Sequence, residues 1–367
     1  MNYKRINRIL FSISLILMLT LIGCSQVEKQ ETIKIGAMLS LTGKFSDEGE
    51  ASLKAIQMAI EEINKGTNNK EFSLIVEDTQ CDSTKTVTAI NKLISVDKVR
   101  VIIGESCSAS TLAAAPIAEK NKVILINTGS TSGAIAGSGE YIFKFWFNGD
   151  ELAQMNAVRA FEEGAKKVSI IYLNNDFGLG LKDKFEEEFE NLGGEVVNNF
   201  AIEEGERNYR TVLLKAEEKK PDIYFIALFP QEMILTIKQM KELDINKQIY
   251  THGGMIMNAQ ILGISENILD GVIGPFVSVP SEEFKQKFKA KYNEDPGITA
   301  DSSYDAINIV SSVIRNVGTD TETIKNELLK IKNYKGASGT FSVNEEGGIN
   351  KALSFYKVID NNIVELD

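Results

Sequence analysis

From Ile33 onward, short β-branched apolar runs alternate with amphipathic stretches, and this rhythm limits the fold more than any single motif does. "IKIGAMLS" reads as a strand, and Asp47 to Lys65 places Ile56, Ala59, Ile60 and Ile63 on one helical face. Further strands are expected at 72–78, 99–105, 122–127, 167–173, 221–229 and 248–252, with helices near 84–95, 109–120, 150–163, 179–192, 208–219 and 231–243. Strands joined by helices run parallel and are covered on both faces, so the expected class is α/β with doubly wound parallel sheets. A chain of 367 residues is long for one such core, which predicts two lobes. "YIFKFWFNGDE" and "GVIGPFVSVPSEE" fall outside the alternation and read as crossovers between lobes. A helical region follows from about 281 to 331, and the last thirty or so residues read as a β-hairpin with Gly347-Gly348 near its turn. "EEEFE" at 186–190 reads as a solvated helix face.

The N-terminus is different in kind. Lys4, Arg5 and Arg8 precede an apolar run from Ile9 to Ile22 that is short for a settled transmembrane helix, the pattern of an export signal. It ends in Leu21-Ile22-Gly23-Cys24, which resembles the bacterial lipobox, whose cysteine becomes the lipidated first residue; the alternative is a plain signal peptide with an incidental cysteine. Residues 25–31 are polar and fit a tether. Loss of residues 1–23 removes three positive charges and no negative one, carrying the formal net charge from −11 to −14. So acidic a chain is a poor partner for nucleic acid.

With Cys24 set aside, Cys81 and Cys107 are the thiols that remain, in a chain read as exported. Both follow expected strands, so neighbouring strand ends would bring them together as a disulfide; two buried free thiols are the alternative. A metal site is disfavoured by one histidine and no C-x-x-C, and no cofactor is expected.

Catalytic patterns are weak. A Ser-His-Asp arrangement would need His252; "GESCS" lacks the closing glycine of a nucleophile elbow, and "GLGLKD" lacks the third glycine of a dinucleotide fingerprint. His252, beside two glycines, reads as a loop-shaping residue, and no enzyme activity is expected. Open α/β sheets bind ligands beyond the carboxyl ends of their strands. "SCSAST" at 106–111 and "INTGSTSG" at 126–133 occupy such ends, where Ser108 can offer a hydroxyl beside a helix N-terminus. Capping and carboxylate binding both remain open for these hydroxyls.

The lipobox, "IKIGAMLSLTGKFSDEGEASLKAIQMAIEEIN", "EDTQCD", "VIIGESCSAST", "ILINTGST", "NNDFGLGL" and "YFIALFPQEM", in this order, resemble the branched-chain amino-acid binding proteins, the class I solute-binding receptors of ABC importers. The resemblance runs from about residue 32 to the end and implies two doubly wound lobes, joined by three crossovers, closing on a small ligand. It places lobe I at 32–147 plus 277–335 and lobe II at 148–276 plus 336–367, after a signal peptide at 1–23 and a tether at 24–31. It implies that Cys81 and Cys107 pair, that Ser108 binds the ligand carboxylate, that Gly129 offers a carbonyl to the ammonium, and that Thr131 touches both. Phe177 and Phe229 align with aromatic positions of the second lobe.

One departure stands out. The family's second lobe supplies a glutamate to the ligand ammonium, whereas "THGGMIMN" has Gly254 there and no acid. Glu48, in what reads as the loop "KFSDEGE", either replaces the charge or points to solvent; the latter is expected, since Asp47 and Glu50 flank it, and with it a ligand, acid or amide, that carries no ammonium. The resulting expectation is an exported receptor, lipid-anchored on the outer face of the membrane, which captures an amino acid or related acid or amide and passes it to ABC permease subunits. The alternative is a ligand-sensing clamshell serving a signalling partner. Mature protein is expected to begin at Cys24, and Cys24→Ala to release it from membranes; N-terminal mass analysis showing any other first residue overturns the assignment.

Overall fold

The computed structural model describes residues 32–366 apart from 66–70, 262, 265–266 and 278–279, so the signal, lipidation and tether readings for 1–31 lie outside the described residues. A first sheet has strand order β2-β1-β3-β4-β5 and is parallel throughout, built from β1 (Ile33–Leu39), β2 (Phe72–Asp78), β3 (Val101–Ile103), β4 (Ile124–Asn127) and β5 (Ile142–Lys144). Helices α1 (Ser46–Lys65), α2 (Ser83–Ser95) and α3 (Ser108–Lys120) connect the first four strands. One face of this sheet buries Ile35, Ala37, Val101, Ile103 and Ile126 with α1, and the other buries Met38, Ile102 and Leu125 with α2 and α3. Covering both faces explains why β3 and β4 are apolar at nearly every position rather than alternating.

The chain then crosses to a second sheet of order β15-β14-β10-β9-β8-β6-β7. Here α4 (Gly149–Glu162), β6 (Lys167–Leu173), α5 (Asp176–Asn191), β7 (Glu195–Ile202), α6 (Arg210–Glu217), β8 (Ile223–Ala227), α7 (Pro230–Glu242), β9 (Gln248–Thr251), α8 (Gly253–Ile261) and β10 (Ile273–Val277) follow in turn. Phe185 and Phe225 stack across its core, 4.1 Å between ring centroids. The chain returns to the first lobe as α9 (Glu282–Tyr292), α10 (Ala300–Val317) and α11 (Thr321–Leu328), with Ile307, Val310 and Ile324 joining its core. It crosses a third time to β14 (Leu353–Ile359), which pairs antiparallel to β10, and β15 (Asn362–Leu366), which pairs antiparallel to β14, extending the second sheet.

The tail departs from the single hairpin expected. Strands β11 (Tyr334–Gly336), β12 (Gly339–Val343) and β13 (Ile349–Asn350) form a small separate sheet, with the β12–β13 turn at Gly347-Gly348. Phe341, Val343 and Ile349 bury in the first lobe, so the expected boundary at 336 moves to the crossover after Asn350. The second hairpin, β14–β15, turns on Asp360-Asn361, both at positive φ (48° and 62°), as a tight two-residue turn requires. β5, β7 and β10 were also outside the expected strands; β5 and β10 each sit at the start of what reads as a crossover, which in fact follows them.

Cys81 and Cys107 are bonded, with Cα atoms 5.5 Å apart. Their strands β2 and β3 are not neighbours, because β1 lies between them, so the bridge spans the end of β1 rather than linking adjacent strand ends. The bond closes 26 residues of sequence separation and, by loop entropy, contributes about 3 to 4 kcal/mol. Unreduced digests should yield the linked peptides, and Cys81→Ala with Cys107→Ala should lower the unfolding free energy by about that amount; free, alkylatable thiols in the exported protein would overturn the pairing.

Candidate binding cleft

In both lobes the loop after the first strand is pulled tight by a glycine. A Cβ on Gly49, in the first turn of α1, would lie 2.0 Å from the Ser40 carbonyl oxygen, and one on Gly178, in α5, 2.1 Å from that of Leu173. Only glycine lets each helix start so close to the strand before it. The first approach brings Phe45 and Glu48 to the space between the lobes; the second brings Asn175, Asp176 and Phe177. Asn175 caps α5 by accepting the Gly178 N–H at 3.0 Å.

These residues line a cavity of about 170 Å³, together with Cys81, Ser106, Cys107, Ser108, Ala109, Gly129, Thr131, Glu204, Phe229 and Met255. Ser108 is the first residue of α3, whose N-cap, Cys107, makes no side-chain cap. The Ser108 hydroxyl accepts the Ser132 N–H of the neighbouring loop at 3.3 Å. Gly129 presses against the neighbouring loop, its absent Cβ 3.0 Å from the Cα of Ser106.

Beneath these loops lies a buried polar frame. The Glu105 carboxylate accepts the Ser40 hydroxyl at 3.2 Å and the Ser106 N–H at 3.1 Å, with the Thr79 hydroxyl on its second oxygen. Burial pushes the Glu105 carboxyl above its usual range, and these donors oppose the shift. The Asn127 amide donates to the Glu105 carbonyl and, at 2.7 Å, to the Ser130 hydroxyl. Thr131 is held by its own carbonyl, which accepts both the Lys144 ammonium and the Gly149 N–H at 2.8 Å. Lys144 is buried and donates as well to the Ser132 carbonyl at 2.8 Å.

The opposite wall is aromatic. Phe177 and Phe229 stack with centroids 5.0 Å apart, and Phe45 of the first lobe meets Phe229 edge-on at 5.0 Å. Aromatic pairs of this geometry add about 0.5 to 1.5 kcal/mol beyond their buried area. His252 sits behind this wall, and burial drives its pKa down to about 4, leaving it neutral. Its Nδ1 accepts the Gly254 N–H at 2.9 Å, the loop-shaping part expected of it.

Of the expected site residues, the structure brings Ser108, Gly129, Thr131, Phe177, Phe229 and Glu48 to the cavity, but not Gly254. A Cβ on Gly254 would meet His252 and Phe276 at 2.7 Å; it faces the protein, and Met255 beside it lines the cavity. Glu48 lies in the first turn of α1 rather than in a loop, half-buried at the cavity wall rather than out in solvent. Phe45, Asp176, Glu204 and Met255 were not picked out from sequence; Phe45 and Asp176 follow strand ends, the signal that marked Ser108. Among the described lining residues the charged groups are Glu48, Asp176 and Glu204, all acidic.

Burial pushes the Lys144 ammonium down to about 7, with the charge of Asp150 opposing. Its ordinary value near 10.4 applies to the unfolded chain, which therefore holds this proton up to higher pH than the folded chain. This group's contribution to stability accordingly rises from about pH 7 to about pH 10. The stability of the wild type relative to Lys144→Met should increase over that interval in urea titrations; a flat difference would show that Lys144 keeps an ordinary pKa.

Comparison with known proteins agrees with this geometry. Residues 32–362 match a family model described as "Periplasmic binding protein". The leucine-, isoleucine-, valine-, threonine- and alanine-binding protein of Pseudomonas aeruginosa is 24% identical over 332 residues, 87% of each chain. The leucine binding protein LivK of Thermotoga maritima superposes with a TM-score of 0.83 at 28% identity, covering 92% of this chain and 98% of that one. A solute binding protein of an ABC transporter from Rhodopseudomonas palustris, in complex with 3,4-dihydroxy benzoic acid, superposes at 0.80 with 24% identity, covering 91% and 96%.

Proposed function

Given that this chain belongs to the periplasmic binding protein family, we propose that it is the lipid-anchored, extracytoplasmic receptor of an ABC importer, and that its solute is an α-amino acid with an uncharged, apolar side chain. The observation that carries this reading is the charge layout of the cavity. Hydroxyls at Ser108 and Thr131 and the uncapped start of α3 suit a carboxylate, while the acids Glu48 and Asp176 on the same cavity suit an ammonium. Phe45, Phe177, Phe229 and Met255 offer the apolar remainder. A zwitterion matches all three.

The alternative ligand class, a carboxylic acid without an ammonium, has a precedent in the dihydroxybenzoate bound to the Rhodopseudomonas protein. Glu48 and Asp176 on the cavity wall disfavour it, since an anion would face both carboxylates, while Glu204 is already paired with Lys44. Binding works by population shift: a ligand touching both lobes stabilises the closed form, which a permease can recognise, and no chemical step is involved.

Calorimetric titration of the mature chain with apolar L-amino acids and with 4-methylpentanoate, the des-amino analogue of leucine, tests the proposal. An apolar amino acid should bind at least about tenfold more tightly than 4-methylpentanoate. Ser108→Ala and Thr131→Ala should each weaken it about tenfold or more, for the loss of a charge-assisted hydrogen bond. Glu48→Gln should weaken the amino acid while leaving 4-methylpentanoate unchanged. Preferential binding of 4-methylpentanoate or benzoate, indifferent to Glu48→Gln, would overturn the amino-acid reading.

A further inference from the structure

At the mouth of the cleft, the second lobe presents three groups that together make a receptor for a cation. Phe229 offers its ring face, and Glu204 and Glu232 each offer a carboxylate oxygen. The cation in place comes from the first lobe. Lys44, in the turn after β1, sets its Nζ 4.3 Å from the Phe229 centroid, 3.1 Å from Glu204 Oε1 and 3.0 Å from Glu232 Oε1. An ammonium over an aromatic face and between carboxylates is the arrangement by which proteins recognise amines.

Glu232 makes the contact consequential. Its side chain is only 6% exposed; Oε1 also accepts the Gly205 N–H at 3.3 Å, and Oε2 is buried with no hydrogen-bond partner. A carboxylate so placed requires a cation. Lys44 meets it across the gap between lobes, so the pair exists only where the lobes approach. Phe229 and Glu204 also line the ligand cavity, and Phe45, next to Lys44, packs on Phe229. The receptor is therefore continuous with the wall that would face a ligand side chain.

We propose that Lys44 is a specificity-determining residue: on closure the first lobe fills the second lobe's cation receptor with its own ammonium, so that the cleft closes on ligands with uncharged side chains and rejects those with a cationic one. A cationic side chain reaching this wall meets Lys44, a like charge, or must displace an ammonium that its own chain holds at high local concentration. The same contact favours the closed form and so tightens every ligand that needs closure. The choice of probes rests on the amino-acid reading.

L-Norleucine and L-lysine share a carbon chain and differ by the terminal ammonium, so their affinity ratio isolates the effect. The wild type should favour norleucine by about a hundredfold or more, and Lys44→Arg should preserve that preference. Lys44→Met should weaken norleucine several-fold, strengthen lysine about tenfold, and collapse the ratio; adding Glu232→Gln should remove most of the lysine gain. An unchanged ratio in a Lys44→Met protein that melts as the wild type does overturns the proposal. Small-angle scattering of the ligand-free chain separates this from failure of the amino-acid reading. If no amino acid binds the wild type, that reading falls, and Lys44 is judged by compaction alone. Lys44→Met should then be more expanded than the wild type, and salt near 0.5 M should expand the wild type but not the variant; identical scattering of the two overturns the contact as a closure element.

Discussion

All five strands of the first sheet point the same way, and the binding surface depends on that parallel alignment. Parallel strands deliver every following loop to one edge, so Ser40, Thr79, Glu105 and Asn127, far apart in sequence, end within hydrogen-bonding reach of one another or of a shared partner. The buried Glu105 and Asn127 frame is fully engaged, which makes it a rigid floor; a half-satisfied frame at this depth would loosen the loops it carries. The disulfide adds a second constraint at the same edge, strapping the loops after β2 and β3 over the end of β1.

The second requirement is a joint that bends without losing its core. Trp146 and Phe147 of the first crossover, Phe276 and Val277 at the end of β10 before the second, and Leu353 and Tyr356 of β14 after the third gather in one apolar cluster. Next to it, the half-buried Lys351 lies near Asp301 and Asp305: desolvation pushes its ammonium down, while burial raises Asp301 to about 6 and Asp305 in the same direction. Thr131 is tied directly to this region, because its carbonyl takes the N–H of Gly149, the first residue of α4 in the second lobe. On the proposed reading, a ligand held by Thr131 would pull on the start of the second lobe through this backbone hydrogen bond.

The two walls of the cleft divide the chemistry between them. The first lobe contributes hydroxyls and helix-start amides set on short, stapled loops, together with the acid Glu48; the second contributes the stacked rings of Phe177 and Phe229 and the acids Asp176 and Glu204. Lys44 and Phe45 cross this division, placing a cation and a ring from the first lobe among the second lobe's like groups.

The sequence by itself determined the α/β class, the two lobes, the cysteine pair and the hydroxyl loops, because each is written in short-range pattern: strand–helix rhythm, apolar runs, and Ser or Thr immediately after a strand. Ser108 stood out for that reason, whereas Thr131, Phe177 and Phe229 were named from the family resemblance, and all four line the cavity. Only the tertiary structure decided which way the cleft's acids point. Glu48 turns inward and Gly254 outward according to the rotation of their helices against the strands behind them, a rotation fixed by contacts such as Gly49 on Ser40 and Gly254 on His252 and Phe276. It likewise decided that 339–350 belongs to the first lobe while β14 and β15 belong to the second, since both hairpins read alike and differ only in which sheet can bury them. The pairing of Lys44 with Glu232, 188 residues apart, leaves no local signal, because it depends on two lobes closing on one another.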